Sequence, residues 1–285
     1  MRDAALQSLA VGFFDGVHLG HQAILKGADS ALTFRNHPLT VLAPEKAPRL
    51  IMSVEERVAA IKACGVKDVT VLDFTLELAA MPADEFIREY LLATQGRTGA
   101  HRIRCGENWR FGKGGEGDAE WLRAKGIGVV VAPYVEHKGE TVSSSRIRRC
   151  LENGEIEDAN AMLGRRFQVS GSRFQGKGLG KEIGYPTINL ELSTLNLELL
   201  FGVYEVEVEG VRGIANYGLA PTMGERAWTS PVLELHVLGK RAIDQSKRSD
   251  SPSVSFVRFI RPERKFDSVE DLRRQIALDC AKIGA

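Results

Sequence analysis

Ten residues near the start of the chain, Gly12-Phe13-Phe14-Asp15-Gly16-Val17-His18-Leu19-Gly20-His21, indicate how its first half folds. The apolar residues 9–12 predict a short strand that ends in a glycine-rich turn. Residues 18–26 predict a helix that begins at the histidine pair. A strand, a turn and a helix in this order are typical of an α/β sheet, and the turn also predicts a site.

The spacing of His18 and His21 places both imidazoles on one face of the first helical turn. Free backbone N–H groups and the helix dipole favour an anion at this point. Gly20 leaves room for a ligand to approach the backbone. The pattern favours a nucleoside triphosphate, on whose phosphorus charge builds during reaction. A pair of surface histidines and a zinc site are the alternatives, although the pair supplies only two ligands and no third is evident.

Strand and helix patterns alternate along the rest of the first half, which predicts a parallel sheet covered by helices. The further predicted strands are residues 30–34, 69–72, 102–105 and 129–131, and the predicted helices are 53–64, 83–92, 143–151 and 156–163.

After residue 166 the pattern changes to short β-forming segments separated by Gly, Pro and Asn, which predicts an antiparallel barrel or sandwich. These segments are residues 167–170, 204–208, 213–216, 232–238 and 253–259. Residues 269–282 predict a closing amphipathic helix with Leu272, Ile276 and Cys280 on one face. The domains are therefore expected at residues 1–150 and 167–285, with a linker helix at 151–166.

A second candidate site follows the first predicted β segment. The glycines of this loop, Gly176, Gly178 and Gly180, allow its backbone amides to wrap a phosphate, although such a loop alone is also typical of a flexible hairpin. Thr187 and Asn189 are hard oxygen donors two residues apart, and on an extended segment they face the same side. Such a pair suits a magnesium ion.

Three motifs of the first half resemble those of one family. Residues 12–21 resemble the HxGH signature of nucleotidyltransferases in the form used by bacterial FAD synthetases. Residues 106–112, Gly-Glu-Asn-Trp-Arg-Phe-Gly, resemble the flavin-side loop of that family, and residues 143–148, Ser-Ser-Ser-Arg-Ile-Arg, resemble its ISSTRIR motif. The resemblance implies three groups of residues: catalytic His18 and His21; ATP-binding Gly12, Phe14, Gly20, Ser144, Arg146 and Arg148; and flavin-binding Asn108, Trp109 and Phe111.

The second half is similar to riboflavin kinases over about 115 residues. Pro186-Thr187-Ile188-Asn189 resembles the PTAN motif, and residues 202–204, 215–218, 221–222, 233–236 and 261–266 resemble the blocks that follow it. The resemblance implies that Glu234 is the catalytic base and that Thr187 and Asn189 bind Mg²⁺. It also implies that Gly176, Gly178 and Gly180 bind ATP.

Together the two resemblances imply a Rossmann-like α/β nucleotidyltransferase domain followed by an antiparallel β-barrel riboflavin kinase domain with a C-terminal helix. Riboflavin and FMN would be substrates with ATP, FAD would be the product, and Mg²⁺ would be the metal. A second hypothesis is that the chain retains only one of the two activities, because the 22–32 connection is shorter than in the family and residues 239–252 contain no aromatic residue. A non-catalytic flavin- or nucleotide-binding regulator is the third.

Composition narrows the partners to small molecules. A net charge of +1 gives no field that favours nucleic acid or a membrane. No apolar run reaches the roughly 18 residues of a membrane span, and residues 1–7 contain no signal-peptide core. The four cysteines are widely spaced, which favours the reduced cytoplasm over a disulfide framework or a zinc site. We expect a monomer or weak homo-oligomer.

Overall fold

The computed structural model describes residues 8–92, 102–175, 179–192, 199–219, 231–238 and 251–284. The chain divides into two compact units, Met1–Ser144 and Ser145–Ala285. The predicted limits at residues 150 and 166 stay predictions. In the described part of the chain, no helix has the length and apolar character needed to cross a membrane.

The first unit alternates strands and helices as predicted. Its strands are β1 (Ser8–Val11), β2 (Ser30–Phe34), β3 (Asp68–Leu72), β4 (Arg102–Gly106) and β5 (Gly128–Ala132), with a small hairpin of β6 (Glu136–His137) and β7 (Glu140–Thr141). Its helices are α1 (Leu19–Leu25), α2 (Leu39–Leu42), α3 (Val54–Ala63), α4 (Leu76–Ala80), α5 (Ala83–Phe86) and α6 (Ala119–Ala124). A π-helical stretch, Ile87–Leu92, continues α5.

The five main strands form one parallel sheet in the order β3-β2-β1-β4-β5. Strand β1 is central, and the chain adds strands to one side of it and then to the other. Ligands of open α/β sheets bind outside the carboxyl ends of the strands at such a switch point. The parallel α/β sheet is confirmed, and the turn after β1 lies at its switch point.

Alternate residues of each strand point to opposite faces of this sheet. Both faces therefore carry apolar side chains, and helices cover both. Leu9 and Val11 pack with Phe86 and Leu122 on one side. Ala10 packs with a separate group that includes Ile61 on the other.

The second unit begins with helices and continues as a barrel. Its elements are α7 (Ser144–Glu152, whose first residue closes the first unit), α8 (Ile156–Leu163), β8 (Phe167–Phe174), α9 (Leu179–Glu182), β9 (Ile188–Leu192), β10 (Gly202–Val208), β11 (Val211–Gly218), β12 (Val232–Val237), β13 (Ser253–Pro262) and α10 (Val269–Gly284). The barrel is closed and antiparallel in the order β10-β11-β12-β9-β8-β13. This settles the choice between barrel and sandwich.

The two faces of the barrel differ in what covers them. Tyr204 and Leu235 are fully buried on the inner face. Val203 and Ile214 belong to the other face and pack against Ile276 of α10. A six-stranded barrel has no room for a helix, so α10 covers the outside. The predicted apolar face of the terminal helix is thereby confirmed.

Candidate active sites

The first candidate site is an open pocket at the carboxyl ends of β1, β4 and β5. It brings together seven of the residues predicted for this site: Gly12, Phe14, His18, Gly20, His21, Asn108 and Trp109. Tyr134, which follows β5, also lines the pocket, although no sequence motif indicated it.

The turn between β1 and α1 has an unusual backbone. Phe14 and Val17 have φ angles of 58° and 41°, in the left-handed region that a β-branched residue rarely adopts. Both side chains are buried, and the Val17 N–H donates to the Phe14 carbonyl at 3.0 Å. A Cβ on Gly12 would lie 2.9 Å from the Phe14 ring, so this position requires glycine. Such strain persists where the surrounding structure enforces it, and it is typical of functional sites.

His18 is the N-cap of α1. Its Nδ1 accepts the backbone N–H of His21 at 3.3 Å. Because Nδ1 accepts, the neutral ring carries its proton on Nε2. A Cβ on Gly20 would lie 3.2 Å from the His18 ring, so Gly20 leaves the space that this ring occupies. The predicted helix start is therefore a cap that fixes which nitrogen of His18 is a donor.

His21 lies against His18, with ring centroids 3.6 Å apart and an interplanar angle of 19°. Its other neighbour is Phe14, whose ring meets it edge-on at 5.4 Å. Burial, and then the charges of His18 and Arg57, hold the pKa of His21 well below its usual range. His21 is therefore neutral at physiological pH, and its Nδ1 has no hydrogen-bond partner.

Asp15 ties two distant segments to this turn. Its buried carboxylate accepts the Ile51 N–H at 3.0 and 3.2 Å. Its carbonyl accepts the hydroxyl of Ser144 at 2.8 Å. The O–H of Ser144, predicted as a phosphate ligand, thus has a backbone partner in this structure. No role is predicted for Asp15 from the sequence, although it lies within the 12–21 motif.

Arg57 lies fully buried beneath the same turn. Its guanidinium is 4.2 Å from the centre of the Phe13 ring, and Nη2 donates to the carbonyls of Phe34 at 2.6 Å and Arg35 at 3.1 Å. Burial lowers its pKa, which the charge of Asp15 partly opposes. The sequence does not indicate a role for Arg57, because an arginine near the start of a helix is ordinarily solvated.

The flavin-side loop forms an aromatic wall of the pocket. Trp109 stacks on Phe111 with ring centroids 4.6 Å apart and an interplanar angle of 23°. Phe111 is buried and meets Trp121 edge-on at 5.8 Å. Trp109 therefore lines the pocket, whereas Phe111, predicted as a flavin ligand, lies behind it as its support.

The short connection after the histidine pair is closed by local bonds. Helix α1 has only seven residues, and Gly27 turns the chain with a φ of 75°. The Ser8 hydroxyl donates to the Gly27 carbonyl at 2.8 Å, and the Ser8 N–H donates to the Asp29 carboxylate at 2.9 Å. The shortened segment is thus anchored to β1, and α1 keeps the turn that positions the histidines.

The two predicted arginine ligands lie in the second unit. Arg146 and Arg148 occupy the first two turns of α7. Arg148 donates from Nη2 to the Ser145 hydroxyl at 3.2 Å. Their contact with a triphosphate stays a prediction.

The second candidate site is an open pocket between the outer face of the barrel and α10. Thr187, Glu234 and His236 line its strand side, and Leu272 and Ile276 of α10 line the other. The chemistry-bearing residues thus lie outside the barrel, and the terminal helix forms a wall of their pocket.

Three polar residues form a row across neighbouring strands. Glu234 of β12 is directly opposite Asn189 of β9 on one side and Asn216 of β11 on the other. Residues directly opposite across a ladder have Cβ atoms about 5 Å apart on one face. Asn189 is buried, and Thr187, two residues earlier, lines the pocket. The structure therefore brings the predicted base next to one predicted metal ligand and into one pocket with the other.

Glu263 is a second carboxylate of this pocket, and the sequence predicts no role for it. It accepts from Nδ2 of Asn216 at 3.2 Å, and a Cβ on Gly218 would collide with it. Burial, and then the charge of Glu263, raise the pKa of Glu234. Glu263 directly follows β13, and only the return of that strand brings it to this pocket; the resemblance of residues 261–266 to a family block implied no such position.

The glycine-rich loop is described only at its end. Gly176 and Gly178 lie outside the described residues, as do residues 239–250 of the loop that contains no aromatic. Gly180 accepts the Tyr185 N–H at 2.7 Å, and a Cβ on Gly180 would lie 2.5 Å from the Tyr185 carbonyl oxygen. The last glycine therefore packs directly on the segment that contains Thr187.

A switch-point pocket with paired histidines, and a barrel whose outer face carries a half-buried glutamate opposite Asn189 and in one pocket with Thr187, together define a nucleotide-dependent transferase with two catalytic domains. A family model described as FAD synthetase matches residues 2–146, and one described as riboflavin kinase matches residues 163–285.

Relatives of the whole chain agree with these domain matches. The bifunctional riboflavin kinase/FMN adenylyltransferase of Bacillus subtilis is 31% identical over 97% of this chain and 91% of its own length. The Escherichia coli K12 protein of the same name is 32% identical over 95% and 90%. A crystal structure titled macrolide-efflux protein from Streptococcus pneumoniae has a TM-score of 0.82 and 29% identity, covering 97% of this chain and 93% of that one.

The chain belongs to the bifunctional riboflavin kinase/FMN adenylyltransferase family. The recognised family and the predicted fold class are confirmed. Phosphorylation of riboflavin to FMN and adenylylation of FMN to FAD are the two activities of the family, and the chain carries a domain for each.

Proposed function

We propose that the pocket beneath α10 phosphorylates riboflavin with ATP, and that the pocket at the switch point adenylylates FMN to FAD with release of pyrophosphate. The observation that carries the proposal is that each unit has its own pocket, lined by the residues that its chemistry needs. One pocket contains a carboxylate suited to be a base, and the other contains a capped histidine pair beside an aromatic wall.

In the kinase pocket, Glu234 accepts the proton of the ribityl 5′-hydroxyl as this oxygen attacks the γ-phosphorus of ATP. Its raised pKa makes it a stronger base than an exposed carboxylate. Asn216, which is hydrogen-bonded to Glu263, lies opposite Glu234 on one neighbouring strand, and Asn189 lies opposite Glu234 on the other. Leu272 and Ile276 of α10 form an apolar wall on the opposite side of this pocket.

Magnesium suits this pocket. Thr187 and Asn189 offer a hydroxyl and an amide oxygen, hard donors of the type that Mg²⁺ prefers in company with substrate phosphates. Among the described residues, no group of three or more His, Cys, Asp or Glu could hold a metal alone. Magnesium bound by Thr187, Asn189 and ATP would neutralise charge on the transferring phosphate.

In the adenylyltransferase pocket, the FMN phosphate attacks the α-phosphorus of ATP and pyrophosphate leaves. His18 donates from Nε2 to a phosphate oxygen, and neutral His21 holds the ring of His18 by stacking. Asn108 and Trp109 hold the flavin, with Trp109 stacked on its ring. Positioning and charge stabilisation supply the rate, so no covalent enzyme intermediate is needed. Ser144, Arg146 and Arg148 remain the predicted ligands of the triphosphate.

The setting of the enzyme is also a proposal. None of the four cysteines forms a disulfide, which agrees with a reduced compartment and hence with the predicted cytoplasm. We keep the prediction of a monomer or weak homo-oligomer, with small molecules as the only partners.

Chromatography of the purified chain with ATP and Mg²⁺ tests the proposal. Incubation with riboflavin should give FMN, and incubation with FMN should give FAD. Formation of FMN in the first incubation without FAD in the second would contradict the adenylyltransferase role of the first pocket. FAD formed only from supplied FMN would remove the kinase role of the second, and neither product would favour a binding protein.

A further inference from the structure

The backbone ladder between β9 and β12 ends just before the segment that contains Thr187. Its last pair joins Leu235 to Ile188. One step further along the same register, His236 faces Thr187, on the side of the sheet that also carries Glu234. Pro186 comes next, and it has no N–H with which to extend the ladder.

Beyond the last backbone pair of the ladder, the side chain of His236 makes a hydrogen bond to the segment that contains Thr187. Its Nδ1 lies 2.9 Å from the carbonyl oxygen of Pro186. A carbonyl oxygen only accepts, so Nδ1 carries the proton and donates it. The rings of Tyr185 and His236 make a second, edge-to-face contact, with ring centroids 5.2 Å apart and an interplanar angle of 77°.

The segment held by His236 is packed on its other side by the glycine loop. The Tyr185 N–H donates to the Gly180 carbonyl at 2.7 Å. A Cβ on Gly180 would lie 3.0 Å from Oγ1 of Thr187. Movement of residues 185–187 would therefore displace both the predicted metal ligand and the end of the phosphate loop.

We propose that His236 is a positioning residue of the kinase pocket, which latches the Tyr185–Pro186–Thr187 segment to β12 so that Thr187 stays in the pocket that contains Glu234. Strand β12 then carries the base at position 234 and the latch at position 236. The proposal rests on the kinase function and metal-ligand roles given above. It differs from a direct catalytic role, in which Nε2 of His236 would contact the substrate.

Two amide variants separate the latch from a direct contact. The side-chain nitrogen of asparagine lies close to the position of a histidine Nδ1, and that of glutamine lies close to Nε2. His236→Asn should therefore keep the bond to Pro186, whereas His236→Gln and His236→Leu should lose it. The KM for ATP at fixed Mg²⁺ should rise about threefold to tenfold in the Gln and Leu variants, which is the range for one hydrogen bond.

Two controls use the full-length protein. Conversion of supplied FMN to FAD should stay within about twofold of wild type in all three variants, because the first pocket does not contain His236. Hydrogen–deuterium exchange of a peptide spanning residues 184–192 reads the latch without any activity. Exchange should be faster in the Gln and Leu variants and unchanged in His236→Asn.

The outcomes are distinct. Wild-type kinase activity and slow exchange in His236→Asn, but in neither of the other two variants, would support the latch. Kinase activity that is retained in His236→Gln but lost in His236→Asn would show instead that Nε2 of His236 makes a direct contact. Unaltered exchange in His236→Leu would overturn the latch. A wild-type chain that makes no FMN would defeat the kinase proposal, and the exchange rates alone would then decide the latch.

Discussion

The imidazoles of His18 and His21 lie stacked 3.6 Å apart, and the Nδ1 of the first accepts the backbone N–H of the second. Two rings this close cannot both be charged without strong repulsion. The bond to Nδ1 also holds the His18 proton on Nε2. In the proposed mechanism the pair therefore works as one unit, in which His21 orients the ring and His18 presents the donor.

Acid should destabilise the first unit through His21. Its pKa is lowered in the folded protein, so below about pH 6.5 the unfolded chain binds a proton that the folded chain excludes. Stability from this group is therefore complete above pH 6.5 and is lost as the pH falls toward the folded pKa. Urea unfolding followed by tryptophan fluorescence between pH 7.5 and 5 should show a steeper loss for wild type than for His21→Gln. Equal slopes would contradict a buried neutral His21.

The two activities should separate by mutation. Asn189→Ala removes a buried predicted metal ligand opposite Glu234, so FMN formation should fall at least about a hundredfold. Conversion of supplied FMN to FAD should continue. His21→Ala is the matched reciprocal variant, which should lose FAD formation and keep FMN formation. Chromatography of both product mixtures decides the matter, and loss of both activities in a folded variant would refute independent sites.

Gly20→Ala should impair adenylyl transfer without unfolding the chain. The new methyl would lie 3.2 Å from Cε1 and Nδ1 of His18, so the ring must shift by a few tenths of an ångström. Small displacements of a positioned donor reduce rate strongly, and we expect a loss of about tenfold in kcat/KM for FMN. Kinase activity serves as the internal control. Unchanged FAD formation would argue against His18 as the phosphate donor.

Asn36 should contribute to stability through its side-chain amide. Its amide pairs with the backbone of Phe74, donating to the carbonyl and accepting from the N–H, both at 2.9 Å. Asn36→Ala should lower the free energy of unfolding by about 1–2 kcal/mol. Arg35→Ala is the matched control, since its ion pair with Asp73 is exposed and is worth about 0.5 kcal/mol. Urea denaturation of both variants tests this, and equal effects would contradict it.

Local patterns predicted most of the elements. Strand β2 and helix α8 occur as predicted, because their apolar periodicity is undisturbed. Helix α3 begins after Ser53, whose side chain and that of Glu56 form a capping box. Strand β9 was recognised only as an extended segment around Asn189. The end of the 83–92 helix widens into a π-helix, which its composition did not indicate.

The sequence by itself determined the order of the domains and the identity of the motif residues, because turns, caps and periodicity depend on neighbours a few positions apart. Only the tertiary structure decided that Glu263 approaches Glu234, that Arg57 is buried under Phe13, and that α10 covers the kinase pocket from outside the barrel. These relationships join residues that are distant along the chain. They arise from cross-strand register and from the packing of whole elements, which no short window of sequence contains.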